Sequence, residues 1–283
     1  MISIQTNVAA LYGLQNLNVN QANQQKTIEE MTSGHRINSA ADDPAGLAQA
    51  NQLRNTNAEL TQGVSNGNNA VGQLQIIDGG LSNISQILDR LQTLATQGAS
   101  NTFTGSYTTL ANEFVNSVAE ISRQAGNVGL NSGGNYQAAA LTVFIGGGLG
   151  NANGNSIGTA TETIDLTGTA VDAAGLGLST FSTSNLSNAA NFSAAITAIA
   201  AAVKSLGAVQ GVVGAGINQL NFAVNLAQSQ ITNYSASQST LRDANMAEAA
   251  TKMSQGQVLM QSSIAALAQA NQLPQGVLKL LQG

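Results

Sequence analysis

From Val203 to Leu241 the chain keeps two apolar lanes running over five heptads. One lane is Val203, Ile217, Val224 and Ile231, seven residues apart except where Gln210 interrupts it. The second, three residues along, is Leu206, Val213, Leu220, Ala227, Tyr234 and Leu241. Apolar residues alternating by three and four predict a helix that buries one seam against other helices. At about 1.5 Å per residue such a helix is roughly 55 Å long, too long for a compact domain and suited to an extended rod.

Most of the remaining chain carries the same period. Residues 1–33 form an amphipathic helix in which Ile4, Val8, Leu11 and Leu14 make one stripe and Ile28 and Met31 resume it. Between Val19 and Thr27 the residues are almost wholly polar, so this helix has little to hold it alone. Ser33–Asp43 is a break, with Gly34 placed as a left-handed cap, Asp43 as an N-cap and Pro44 at the first helical position. The next helix runs from Pro44 to about Gly98, with Leu74, Leu81, Leu88 and Ala95 in one lane and Ile77, Ile84 and Leu91 in the other. Ile87 and Leu94 widen its stripe. A shorter helix follows on Leu110, Phe114, Val118, Ile121 and Ala125. The last helix carries Met246, Met253, Met260 and Leu267 at seven-residue spacing, beside Ala250 and Ile264, and Pro274 marks its end or a kink.

The interval from Gly126 to about Ser184 is different: Gly, Asn and Thr dominate and the helical period disappears. Leu141–Ile145 and Thr159–Leu166 read as two strands joined by a turn over Gly146–Gly158, with Ile164 and Leu166 on one buried face. Helix resumes near Asn188. The expected fold is mainly α, a long antiparallel helical coiled-coil rod with a small β-hairpin region. Residues 1–43 and 239–283 are expected to form a discontinuous terminal helical domain. Residues 44–238 are expected to form the rod, with the β region at about 126–188.

Charged residues make up 8% of the chain, against roughly 25% in a typical soluble protein. A net charge of −5 argues against nucleic acid as a partner. No run of 18 apolar residues suggests a membrane span, and MISIQTNVAALYGLQ lacks the basic-then-apolar pattern of a cleavable secretory signal. There is no Cys and one His, His35, so thiolate chemistry is excluded, and neither a His–Asp catalytic site nor a multi-histidine metal centre is supported. His35 suits a partly exposed interface position. Asp42 and Asp43 fit a helix N-terminus better than acid–base chemistry, because no second catalytic group lies near them. Gly146-Gly147-Gly148-Leu149-Gly150 lacks phosphate-loop spacing and reads as a turn, and the Met stripe reads as packing. Asn-x-Ser sequons at Asn83, Asn185, Asn191 and Asn233 are ordinary in so Asn- and Ser-rich a chain. No catalytic residue, cofactor or metal is expected.

Four segments carry a family resemblance. Ser33-Gly34-His35-Arg36-Ile37-Asn38-Ser39-Ala40-Ala41-Asp42-Asp43-Pro44-Ala45-Gly46-Leu47-Ala48 resembles the junction motif of bacterial flagellins, although His35 stands where an apolar residue is usual. Ile87–Gln97, Ser239–Ala247 and Ala265–Leu278 resemble three further flagellin segments in the same order. The resemblance implies a filament subunit that polymerises with itself into a hollow propeller and leaves the cell by the flagellar type III route. Implied partners are an export chaperone, the export apparatus, the filament cap and hook-junction proteins. Ile4, Val8, Leu11, Leu14, Met246, Met253, Met260, Ile264 and Leu267 become the expected assembly interface, and Arg36, Asn38, Asp42, Asp43 and Pro44 the helix junction. Arg90, Leu94 and Glu113 match positions contacted by the flagellin-sensing Toll-like receptor, whereas Gln92 and Thr93 depart from the family pattern there. Alternatives are a hook–filament junction protein or a secreted coiled-coil adhesin. An enzyme riding on such termini would need an inserted domain, and residues 126–188 hold no motif for one.

Overall fold

Long heptad lanes with few charges produce two helices of unusual length, α2 (Pro44–Ala99) and α5 (Ala189–Arg242). The structure is a computed structural model; it describes the backbone of residues 7–146 and 161–282 and the side chains among them up to 272. The chain divides into two compact units, Met1–Asn55 with Asn233–Gly283, and Thr56–Thr232.

In the Thr56–Thr232 unit, Val224 lies against Gly67 and Phe192 against Gly98, so the α2 and α5 segments run antiparallel. Both expected lanes of α2 are buried: Leu74, Leu81, Leu88, Ala95, Ile77, Ile84 and Leu91. The third helix, α3 (Tyr107–Asn127), turns Leu110, Phe114, Val118, Ile121 and Ala125 into the same core. Phe114 meets Phe192 edge-on at 6.5 Å between ring centres.

One lane of α5 differs from expectation. Leu206, Val213, Leu220 and Ala227 are buried as read, but their companion lane is Ala202, Val209 and Gly216, joined later by Val224. Val203 is exposed instead. Small residues decide this: the Ile164 side chain packs onto Gly216 so closely that a Cβ there would lie 2.9 Å from it. An apolar-lane reading gives Ala and Gly little weight, although they are what lets another element approach. By length and composition α5 also resembles a membrane-crossing helix; a third of its most apolar window, 33%, is buried in this core.

The hairpin forms as expected in its strands. β1 (Leu141–Phe144) and β2 (Thr161–Ile164) pair antiparallel, with Leu141 opposite Ile164 and Phe144 opposite Thr161. Val143, Ile145, Ile164 and Leu166 are buried, the alternation of a sheet with one covered face. The expected Gly146–Gly158 turn lies mostly outside the described residues. A single-turn helix, α4 (Asn135–Ala138), precedes β1, and the stretch after β2 pins itself by Val171, Leu176, Leu178 and Leu186. Sequon asparagines serve this stretch. Asn185 donates to the Thr180 carbonyl at 2.9 Å, and Asn188 Oδ1 caps α5 by accepting from Asn191 N at 3.0 Å.

In the other unit, α1 (Val8–Ser33) and α6 (Met246–Gln282) run antiparallel, with Asn7 beside Ala270, Asn20 beside Ser263 and Gln24 beside Gly256. α1 ends as expected at Gly34, whose φ of 73° is left-handed and whose N–H reaches the Glu30 carbonyl. α6 does not end at Pro274 but continues through it to Gln282. The proline removes one helical donor, and the carbonyl it leaves over, that of Ala270, accepts Asn7 Nδ2 from α1 at 2.8 Å.

A packing test follows for the Thr56–Thr232 unit. A Cβ built on Gly63 would lie 1.6 Å from the Ile145 carbonyl oxygen, whereas one on Gly72 meets nothing within 4 Å. Gly63→Val should destabilise this unit by about 1–3 kcal/mol or more, because the hairpin must move off α2. Gly72→Ala should instead stabilise it by about 0.5–1 kcal/mol through helix propensity. Thermal unfolding followed by circular dichroism should show melting temperatures moved in opposite directions.

Candidate assembly surface and helix junction

The two termini meet in a short backbone junction. Arg36 N donates to the Arg242 carbonyl at 2.6 Å, and Ala244 N to the Gly34 carbonyl at 2.9 Å. His35 and Asp243 thereby pair as a single antiparallel bridge. Arg36 also sends its guanidinium to the Leu241 carbonyl at 2.9 Å. The last carbonyls of α5, which have no helical partner, thus receive a backbone donor and a cation, the charge that suits a helix C-terminus. His35 Nδ1 lies 3.3 Å from Asp243 Oδ1, so the unusual histidine faces a carboxylate rather than an apolar neighbour.

The polar junction residues close the loop between α1 and α2. Asp43 caps α2, its Oδ1 accepting from Gly46 N at 2.9 Å, with Pro44 at the first helical position. Asp42 instead gathers the loop. Its Oδ2 accepts from Ser39 N at 3.0 Å and Asn38 N at 3.3 Å, and Lys26 Nζ of α1 lies 2.7 Å from Oδ1. Lys26 above all, then these donors, hold the Asp42 carboxyl well below the usual carboxylate range and raise Lys26 in return. Asn38 donates its side-chain amide to the His35 carbonyl at 3.1 Å. Ile37 is buried beside Gly46. Across the chain, Asn245 caps α6 by accepting from Ala247 N and Glu248 N.

Along the terminal helices the two faces contrast. The face of α1 turned toward α6 is mostly small or polar: Ala10, Gly13, Asn20, Gln24 and Thr27 are buried or half-buried there, with Leu17 and Met31 as its larger apolar members. Leu267 packs onto Gly13, leaving no room for a side chain there, and Asn20 Nδ2 donates to Ser263 Oγ at 3.1 Å. The outer face carries the large apolar groups. Leu11 is 56% exposed, Tyr12 64% and Val258 64%, and Val8, Leu14, Val19, Ile28, Leu259 and Ile264 are exposed with them.

The expected interface residues therefore fall into two sets. Val8, Leu11, Leu14, Met246 and Ile264 are exposed, whereas Met253, Met260 and Leu267 are half-buried on the stripe that α6 turns toward α1. Ile4 lies outside the described residues. The α6 side of the inner seam follows the Met253, Met260 and Leu267 spacing, whereas the α1 side has little signature, because Ala10, Gly13, Asn20, Gln24 and Thr27 give no apolar period. Spacing alone also gives no sign of Tyr12, Val258 and Leu259.

The expected receptor positions are corrected in one part. Arg90 and Glu113 are exposed and bind each other, Arg90 Nε donating to Glu113 Oε1 at 2.9 Å. Leu94 is only 1% exposed, within the α2 core lane, and cannot contact a partner. Among the described residues no three His, Asp or Glu side chains gather as metal ligands.

Residues 4–132 match the family model described as the bacterial flagellin N-terminal helical region, and 196–281 the bacterial flagellin C-terminal helical region. The chain is 30% identical over 280 residues to the flagellin of Halalkalibacterium halodurans, covering 99% of each chain. It is 28% identical to the flagellar filament 33 kDa core protein of Treponema phagedenis, again over 99% of each. The crystal structure of Bacillus cereus flagellin aligns at 26% identity and a TM-score of 0.43, over 62% of this chain and 94% of that one.

The Asp42 cluster makes the junction sensitive to acid. A carboxyl held low contributes stability that is present above its ordinary pKa, about 4, and is lost as pH falls through its folded value. Amide exchange protection at Asn38 and Ser39 should therefore fall as pH drops from about 5 toward 2. Asp42→Asn should lower that protection at neutral pH and flatten its pH dependence. Protection that is unchanged in the variant would mean that the carboxylate does not hold the loop.

Proposed function

Because this chain belongs to the bacterial flagellin family and is a structural subunit of the flagellar filament, we propose that its copies join through the outer apolar face of α1 and α6. The carrying observation is that many large apolar side chains of these helices, among them Val8, Leu11, Tyr12, Val258 and Ile264, are exposed outside their own seam. Neighbouring copies bury Val8, Leu11, Leu14, Met246 and Ile264, with Tyr12, Val258 and Leu259 and, at the end of the chain, Ile4. Met253, Met260 and Leu267 first hold α6 on α1 and so build the face.

Residues 1–43 and 239–283 form the inner tube of the filament, and 44–238 the shell around it. The terminal helices are thinly held in the free subunit and order on assembly, when other copies supply the missing apolar contacts. With 9 basic and 14 acidic residues in 283, burial rather than ion pairing drives this association. The subunit reaches the growing tip by the flagellar export route, met on the way by a chaperone and at its end by cap and hook-junction proteins. Family membership supports these partners. A Toll-like receptor would meet Arg90 and Glu113 at the α2–α3 surface, without Leu94.

Leu11→Asp and Val258→Asp test the face without entering the seam. Each buries an uncompensated carboxylate in every subunit contact, at a cost of several kcal/mol. Electron microscopy and sedimentation of concentrated protein should show filaments from the unsubstituted chain and none from either variant. The unfolding transition of the Thr56–Thr232 core should be unchanged. Filaments of normal length from both variants would mean that this face is not the contact.

A further inference from the structure

The junction bonds Gly34–Ala244 and Arg36–Arg242 pin the α1–α6 seam at one end only, and its far end, near Asn7 and Ala270, must set its own register. Ala10, Gly13 and Asn20 on one side and Ser263 and Ala270 on the other give small and polar contacts that repeat along each helix. A slip of one turn at that end, about 5.4 Å, would exchange similar contacts for similar ones. Yet it would shift the exposed Val8 and Leu11 of α1 relative to Ile264 of α6.

We infer that Asn7 and Pro274 together set that register. In an uninterrupted helix every carbonyl already has its donor four residues on, so a neighbouring side chain finds no preferred rung. A proline at 274 has no N–H, which leaves the Ala270 carbonyl, inside α6, without its helical donor. Asn7 Nδ2 donates to that carbonyl at 2.8 Å. The other end of the same amide is also held: Oδ1 accepts from Ala10 N at 3.1 Å, as the N-cap of α1. The side chain therefore ties the start of α1 to one carbonyl of α6. A slip of one turn would break the tie and leave the carbonyl unpaired. Asn7 is a positioning residue for assembly, and this role rests on the outer face being the assembly contact.

Asn7→Asp isolates the donated bond. A carboxylate still accepts from Ala10 N and suits a helix N-terminus, so the cap survives. It offers no N–H to Ala270 and sets lone pairs against its carbonyl. Asn7→Asp should raise the critical concentration for polymerisation about tenfold or more in the otherwise unsubstituted chain. Combined with Pro274→Ala, which restores a helical donor for Ala270, the same change should raise it less than about threefold relative to Pro274→Ala alone. Equal effects in the two backgrounds, or no effect in either, would overturn the pairing. A general weakening of α1 would give equal effects, so the cycle separates positioning from stability.

If the unsubstituted chain forms no polymer, the assembly reading fails and the cycle is read on a disulfide. The chain has no Cys, so Gly13→Cys with Leu267→Cys places a single thiol pair across the seam in this register. Asn7→Asp should reduce disulfide yield at least threefold with Pro274 present and less than twofold with Pro274→Ala. A yield indifferent to Asn7 in both backgrounds would overturn the register role on its own.

Discussion

The apolar side chains of α1 and α6 face the wrong way for a self-sufficient pair, and most of the structure's functional sense depends on that. A buried Leu, Ile or Val contributes about 1.5–3 kcal/mol. In the terminal helices most such residues are in water, and the seam mixes Leu17, Leu267 and three Met with Ala, Gly, Asn, Gln, Thr and Ser. Polar contacts of this kind contribute about 0.5–1.5 kcal/mol each and fix geometry more than they supply stability. The pair is therefore a shaped surface waiting for apolar partners. In the proposed assembly a polymer of identical subunits supplies them without any second protein.

The Thr56–Thr232 unit follows the opposite rule. Its Leu and Ile lanes on α2, the aromatic contact of Phe114 with Phe192 and the anchors of the irregular stretch are almost wholly removed from water. The backbone approaches as closely as glycine allows, at Gly63 beside Ile145. Such a unit is stable by its own burial. In the other unit the junction has a separate role. Two loops that connect helix to helix exchange backbone hydrogen bonds, and Asp42, Asp43 and Arg36 meet donors and acceptors that helix ends leave open.

What is legible in the sequence is legible for physical reasons. The ends of α2, the left-handed Gly34, the Asp43 cap and both strands are readable because each depends on residues a few positions apart. The departures share a cause as well. Ala202 and Gly216 displace Val203 and Ile217 from the core lane because close approach, not hydrophobicity, selects small residues. The α1 side of the α1–α6 seam is hard to read for the same reason, whereas the Met253, Met260 and Leu267 stripe marks the α6 side. The bridge of His35 to Asp243 joins two motifs separated by most of the chain, and no local pattern announces it. Local rules allow the last helix to end or kink at Pro274; the helix runs on through it, and the donor to the carbonyl it leaves over, Asn7, lies at the other end of the sequence. Leu94 sits in a motif associated with surface recognition, yet its place in a heptad lane buries it.

The central claim is that the terminal helices gain their apolar partners only from other copies. Amide hydrogen exchange, mapped by peptide below and above the concentration at which the protein polymerises, addresses it most directly. The account predicts fast exchange in α1 and α6 below that concentration and slowing of two orders of magnitude or more above it. Peptides from the buried part of α2 and from α3 should be protected in both states. Equal protection of α1 and α6 in the two states would contradict the account, since the helices would then be complete within a single subunit.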